Sequence, residues 1–139
     1  GVVLPTGRVM TDRGFGPDGH RFVFHRAAEA TYEPWHLGGG FEQRDTGIGA
    51  ATDGLAGVRV VRPSVDRAAS PIVRHTAEFW FGFVLSGAVD LEIDGQTVTL
   101  VDGDAVTIPS ATPFRWSAAS SDLELLEVTL PHAAPTTPA

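Results

Sequence analysis

Apolar and polar positions alternate in short runs along this chain, and Gly or Pro cuts each run before a helix could sustain three turns. The run Phe79-Trp80-Phe81-Gly82-Phe83-Val84-Leu85 is aromatic and β-favouring, and Ser86-Gly87 closes it. Ala88-Val89-Asp90-Leu91-Glu92-Ile93 then alternates strictly, with Val89, Leu91 and Ile93 on one face. Asp94-Gly95 follows, and Gln96 to Leu100 alternates again. An Asp-Gly pair between two alternating runs predicts a tight hairpin, because both turn residues must accept positive φ. Asp102-Gly103-Asp104 predicts a second reversal, into Ala105-Val106-Thr107-Ile108, which Pro109 ends. Further strands are expected at Arg21–Phe24, at Val58–Val61 before Arg62-Pro63, and at Leu123–Leu130 before Pro131.

Many short strands with frequent turn signals predict an all-β sandwich or closed barrel forming a single domain. Residues 58–132 are expected to form the barrel, and residues 1–57 to supply N-terminal strands and a lid or wrapping segment. The small, Pro-rich stretch 133–139 is expected to be a disordered tail. A chain of 139 residues can bury one core, and 42% hydrophobic with 19% charged residues describes a globular protein.

Charge and residue usage narrow the chemistry. The formal net charge is −7, and all ten basic residues are Arg, scattered from Arg8 to Arg115 without a basic stripe. That distribution argues against nucleic acid, whose phosphates require clustered positive charge. The absence of Lys excludes Schiff-base chemistry by this chain, and the absence of Cys excludes a disulfide, a thiolate nucleophile and a thiolate zinc site. The longest apolar stretch, Phe79 to Leu85, is too short to cross a bilayer, so no membrane partner is expected. No signal-peptide pattern is visible, and cytoplasmic localisation is expected. No Ser stands in a nucleophile-elbow context, and Gly38-Gly39-Gly40 lacks the Lys and helix of a phosphate loop; it reads as a hinge.

From His75 to Leu130 the sequence resembles the cupins, a superfamily of small jelly-roll β-barrels. The likeness rests on Phe83-Val84-Leu85-Ser86-Gly87, the Asp94-Gly95 hairpin, Leu100-Val101-Asp102-Gly103-Asp104, Ile108-Pro109 and Pro113. Arg44-Asp45-Thr46-Gly47 and Ala51-Thr52-Asp53-Gly54 look like the lead-in of small single-domain cupins. Metal-binding cupins present His-x-His, then an acidic or amide residue, then a last His beyond the Pro-rich turn. Here the resemblance places Val73 and His75 on the pair, Trp80 on the acidic position and Phe114 on the last His. One donor of four remains, and a single imidazole does not hold a divalent ion against water. The resemblance therefore implies a degenerate metal site, with no metal and no cofactor.

In place of a metal, the expected site is an aromatic pocket for a small apolar or aromatic organic molecule. Trp80, Gly82 and Val84 share the inward face of one strand, Phe114 and Trp116 that of another, and Val73 lies beside them. Core filling is the competing role for the same rings. Phe79, Phe81 and Phe83 face the other way, towards inter-sheet packing or a homodimer contact, and Arg115 should point outward to an acid. The catalytic candidates are His75 as proton carrier and Glu78 as its assistant. His36 lies under the expected lid, and His20 and His25 fall on opposite faces of a strand. The expected function is a metal-independent domain that binds its ligand or catalyses proton transfer or cyclisation. The alternatives are a metal-dependent, dioxygenase-like cupin using His75, Glu78 and His36, and a structural dimerisation domain.

Overall fold

The structure, a computed structural model, describes residues 31–133 and 135–139, together with two strands nearer the N-terminus, β1 (Met10–Phe15) and β2 (His20–Phe22). These two pair with each other, and the expected strand segment at Val23–Phe24, like His25, lies outside the described residues. The remaining strands are β3 (Glu33–Pro34), β4 (Phe41–Asp45), β5 (Gly57–Pro63), β6 (Val73–His75), β7 (Phe79–Ser86) and β8 (Ala88–Ile93). They continue with β9 (Gln96–Val101), β10 (Ala105–Thr107), β11 (Phe114–Ser117), β12 (Glu124–Leu130) and β13 (Thr136–Pro138). A single turn of helix, α1 (Ile48–Ala51), interrupts them.

Two antiparallel sheets result. One runs β10-β7-β12-β5-β4-β3, and the other runs β13-β6-β11-β8-β9. The chain changes sheet at Ser86-Gly87 between β7 and β8, and again between β9 and β10, so the aromatic run and the alternating hairpin face each other across one core. This is the all-β arrangement that the alternating runs predict, and the jelly roll that the family resemblance implies.

Local chemistry accounts for the turns. Asp94 and Gly95 take φ of 50° and 75°, and the hairpin they close pairs Ile93 with Gln96. Strand parity accounts for the core. Trp80, Gly82 and Val84 on β7 are buried while Phe79 is exposed and Phe81 and Phe83 are half-buried, so the three Phe rings stand on the outer face rather than between the sheets. On β11, Phe114 and Trp116 are buried, and Arg115 points out to Glu92 at 2.6 Å. The core joins these rings to Trp35, Leu37, Phe41, Val61, Val73, Val89, Leu91, Ile108, Leu123 and Leu125.

Two segments complete the sheets, and the second departs from expectation. Residues 31–57 include β3 and β4, N-terminal strands as expected, and these belong to the six-stranded sheet itself. Thr136–Pro138, assigned by composition to a disordered tail, forms β13 against β6, with Thr136 opposite His75 and Pro138 opposite Val73. Composition misses it because a three-residue edge strand is specified by its partner rather than by its own alternation. Edge position also tolerates its proline, which cannot donate to a ladder. At the other edge of that sheet, β9 leaves Val98 and Val101 exposed. Among the described residues no helix is long and apolar enough to cross a membrane.

Candidate functional site

The hairpin between β3 and β4 delivers one key side chain. Gly38, Gly39 and Gly40 all take positive φ, of 70°, 73° and 82°, and fold Trp35 back onto Phe41, the Trp35 N–H reaching the Phe41 carbonyl at 3.1 Å. A Cβ on Gly39 would stand 2.2 Å from the Ala69 carbonyl oxygen, so only glycine lets this turn lie against residues 69–70. His36 is thereby held over the barrel, edge-on to Trp35 and 5.5 Å, centroid to centroid, from Trp80.

His36 Nε2 lies 2.9 Å from Glu127 Oε1. Glu127 sits on the inward face of β12 between Leu125 and Thr129 and is 1% exposed. Its register partners are Gly82 on β7 and Arg59 on β5, so one neighbour offers no side chain and the other a cation. Arg59 Nη1 approaches Glu127 Oε1 at 3.4 Å and the Thr129 hydroxyl at 3.3 Å, while its Nη2 donates to the His132 carbonyl at 2.7 Å. His132 Nε2 in turn meets Asp45 Oδ2 at 3.0 Å. Partial burial pushes the Asp45 carboxyl up, but hydrogen bonds from His132 and the Gly47 N–H and the nearby charges outweigh it and hold the group below its ordinary value. A polar row thus crosses the six-stranded sheet, running from Asp45 through His132 and Arg59 to Glu127 and His36.

His75 occupies the other side of the aromatic cluster. It is fully buried, its Nε2 lies 2.6 Å from the Ile108 carbonyl, and its ring stands 4.9 Å from Trp80 and 6.0 Å from Phe114. A carbonyl only accepts, so Nε2 carries the hydrogen and Nδ1 the lone pair. The same logic applied to a carboxylate partner puts a hydrogen on His36 Nε2 and leaves Nδ1 outside that contact. Trp80 touches both imidazoles and packs edge-on against Phe114 at 5.4 Å.

Five buried polar atoms in and around this interior have no hydrogen-bond partner among the described residues: Glu127 Oε2, His75 Nδ1, and the indole nitrogens of Trp35, Trp80 and Trp116. An unsatisfied buried donor or acceptor costs about 1–3 kcal/mol, and folded proteins keep few of them. Two acceptors and three donors concentrated in one barrel are suited to a polar guest.

The sequence-selected residues divide accordingly. Val73, His75, Trp80, Gly82, Val84, Phe114 and Trp116 all lie on the barrel interior, buried. Gly82 leaves its place on that face to the Trp116 ring, which a Cβ there would approach to 3.3 Å. Glu78 does not join them: its side chain is exposed, and its backbone N–H is engaged with the Leu130 carbonyl. The expected His75–Glu78 pair is not assembled, because Glu78 precedes β7 on the outside while His75 turns inward and bonds Ile108. The donor set His75, Glu78 and His36 fails with it, and among the described residues no group of three or more His, Asp or Glu is placed to hold a metal ion. The buried carboxylate of the barrel is Glu127, which sequence reasoning overlooked, and its partner is His36.

These features define a class: a jelly-roll barrel with an enclosed aromatic and polar interior. The family model described as a cupin domain matches residues 64–129, a little under half of the chain, which supports a member of the cupin superfamily. Similar folds are found in KdgF from Halomonas sp., with 20% identity, TM-score 0.65 and 78% of this chain and 94% of that one covered. The polyketide cyclase RemF from Streptomyces resistomycificus has 17% identity and a TM-score of 0.67, with 82% of each chain covered. The Streptomyces nucleoside dehydratase Pac13 has 19% identity and a TM-score of 0.58, with 77% of this chain and 80% of that one covered. No curated protein matches the sequence.

Proposed function

We propose that this cupin binds a small uncharged organic molecule in its barrel and catalyses proton transfer on it without a metal, with His36 as general base and Glu127 as its orienting carboxylate. The observation that carries this reading is the His36 Nε2–Glu127 Oε1 contact at 2.9 Å, made by a carboxylate 1% exposed and flanked by Arg59. A carboxylate behind one imidazole nitrogen fixes the tautomer, leaves the other nitrogen to take a proton, and stabilises the imidazolium that forms.

In the proposed step, His36 Nδ1 removes a proton from an acidic C–H or O–H of the ligand, and the bonding pair stays on the ligand. The negative charge that develops there is met by the indole N–H donors, Trp80 above all, which sit in a water-poor interior where such donors count for most. Return of the proton to a different atom completes an isomerisation. Its transfer from the imidazolium to a departing hydroxyl, which leaves as water, completes a dehydration. Attack of the ligand anion on a carbonyl carbon of the same molecule, with the proton delivered to that oxygen, completes a ring closure. Trp80, Phe114 and Trp116 hold the ligand and exclude water. His75 Nδ1, a buried acceptor with no partner among the described residues, receives a hydrogen bond from a ligand hydroxyl. That a polyketide cyclase and a nucleoside dehydratase share the fold supports organic chemistry in such a barrel, as an analogy of fold alone.

The chain's three tryptophans give three indole N–H resonances, assignable by single Trp→Phe changes. A library of several hundred neutral fragments should contain compounds that shift the Trp80 resonance, and those exchanging an acidic proton should do so about 100-fold slower or worse with His36→Ala, as expected for loss of a general base. If no fragment moves the Trp80 signal, the proposal is wrong.

A further inference from the structure

The barrel has a mouth at which His36 is its reachable member. A cavity of about 190 Å³ opens there, lined by His36, Leu37, Pro71, Val73 and the three residues of β13. Its floor is the imidazole of the proposed dyad, whose side chain is 27% exposed while Glu127 behind it is sealed. Its walls are hydrocarbon from Leu37, Val73 and two prolines. Its roof is the C-terminal strand, fastened to β6 and its flanks by the Thr76 N–H to the Pro135 carbonyl and the Ala139 N–H to the Ile72 carbonyl, both at 3.0 Å.

Size and polarity together select a ligand. An apolar cavity of about 150 Å³ accepts benzene, so 190 Å³ holds one six-membered ring with one or two small substituents. The recess is open on one side, so fused rings or a nucleoside would stand partly outside it, since drug-sized ligands occupy roughly 300–1,000 Å³. The described residues that line it offer no arginine to an acid, and the chain carries a net charge of −7, so a neutral molecule is favoured over an anion. Among the described lining residues, only His36 and the two threonines of β13 present polar side chains.

Resting on the His36–Glu127 reading above, we propose that this recess is the outer part of the substrate site, meeting the aromatic interior at His36, whose ring lies 5.5 Å from Trp80. Its occupant is a neutral single-ring compound bearing a carbonyl or hydroxyl, whose polar end meets His36, and β13 is the roof that sets the size limit. The C-terminal strand is in this sense a specificity element, added to the barrel rather than part of its core.

The test uses the full chain with phenol and 2-cyclohexen-1-one as single-ring probes, and 2-naphthol and uridine as larger ones. Binding is followed through the Trp80 indole resonance and the amide signals of Thr136 and Thr137. The single-ring probes should shift both sets of signals and bind at least tenfold more tightly than the larger two. Thr136→Trp, which fills the chamber from the roof, should weaken their binding at least tenfold, and Thr137→Trp, at an exposed position, supplies a second block should the first perturb folding. Equal or tighter binding of uridine or 2-naphthol would overturn the size assignment. Undiminished Trp80 shifts in both roof variants would put the ligand elsewhere in the barrel, overturning this inference while leaving the proposed function standing. If neither single-ring probe shifts the roof amides while library fragments still move Trp80, the chamber is refuted alone; if nothing moves Trp80, both readings fall.

Discussion

Replacing Glu127 by Gln removes the charge of a side chain 1% exposed and changes its shape little. Arg59, itself 6% exposed, then loses its only carboxylate partner among the described residues, although the His132 carbonyl at 2.7 Å and the Thr129 hydroxyl at 3.3 Å still accept from it. Removing one member of a buried ion pair costs about 3–5 kcal/mol when the survivor is stranded. Two remaining acceptors place the expected loss lower, at about 2 kcal/mol. For a domain of this size that is a fall in melting temperature of roughly 6–10 °C. The informative comparison is the double variant Arg59→Met with Glu127→Leu. If the pair is kept for chemistry, replacing both members by hydrocarbon should match or exceed wild-type stability by up to about 4 kcal/mol while abolishing catalysis. Urea titration of the wild type, both single variants and the double variant closes the cycle and yields the coupling directly. A Glu127→Gln protein within about 0.5 kcal/mol of wild type, with the His36 ring signals unmoved, would show that the carboxylate is not engaged as the geometry requires.

Three further outcomes follow from other contacts. Gly39→Ala puts a Cβ 2.2 Å from the Ala69 carbonyl oxygen at a φ of 73°, so it should cost at least about 2 kcal/mol in thermal unfolding and displace His36, lowering ligand binding as well. Gly95→Ala, with a φ of 75° but open space around it, should cost only about 1 kcal/mol and leave binding intact. Asp45 titrates below its unfolded value near 3.8 in the folded protein, so its contribution is complete above that value and disappears as pH falls through the lower folded one. Melting curves of Asp45→Asn should therefore lie below wild type at pH 6 and converge with it near pH 2; a constant offset across that range would refute the assignment.

Much of the barrel was legible because period-2 alternation and Gly-containing turns are local signals. The β8–β9 hairpin, the inward face of Trp80, Gly82 and Val84, and the outward turn of Arg115 all follow from parity alone. The carboxylate was hidden by the same rule. On β12 the face carrying Leu126, Val128 and Leu130 is the more apolar, so alternation assigns Glu127 to solvent; yet that face is the outside of the sheet, and Glu127 turns inward to Arg59. A cation directly across the ladder is a non-local fact that no single run contains. His36 was equally hard to place, since nothing periodic surrounds it and its position depends on where three consecutive glycines return the chain. Proximity in sequence suggested Glu78 for His75, but three residues of chain entering β7 separate an outer from an inner position.

The exposed edge at β9 has a consequence for how the molecule behaves in concentrated solution. From Gln96 to Val101 the strand carries no charge, and with Val98 and Val101 bare it could template addition of a strand from another copy. Asp94 stands immediately before this segment, and Asp102 and Asp104 immediately after it. Two copies aligning antiparallel along that edge would bring these acids into opposition, so the turns that shape the hairpin also act as gatekeepers against sheet-to-sheet aggregation.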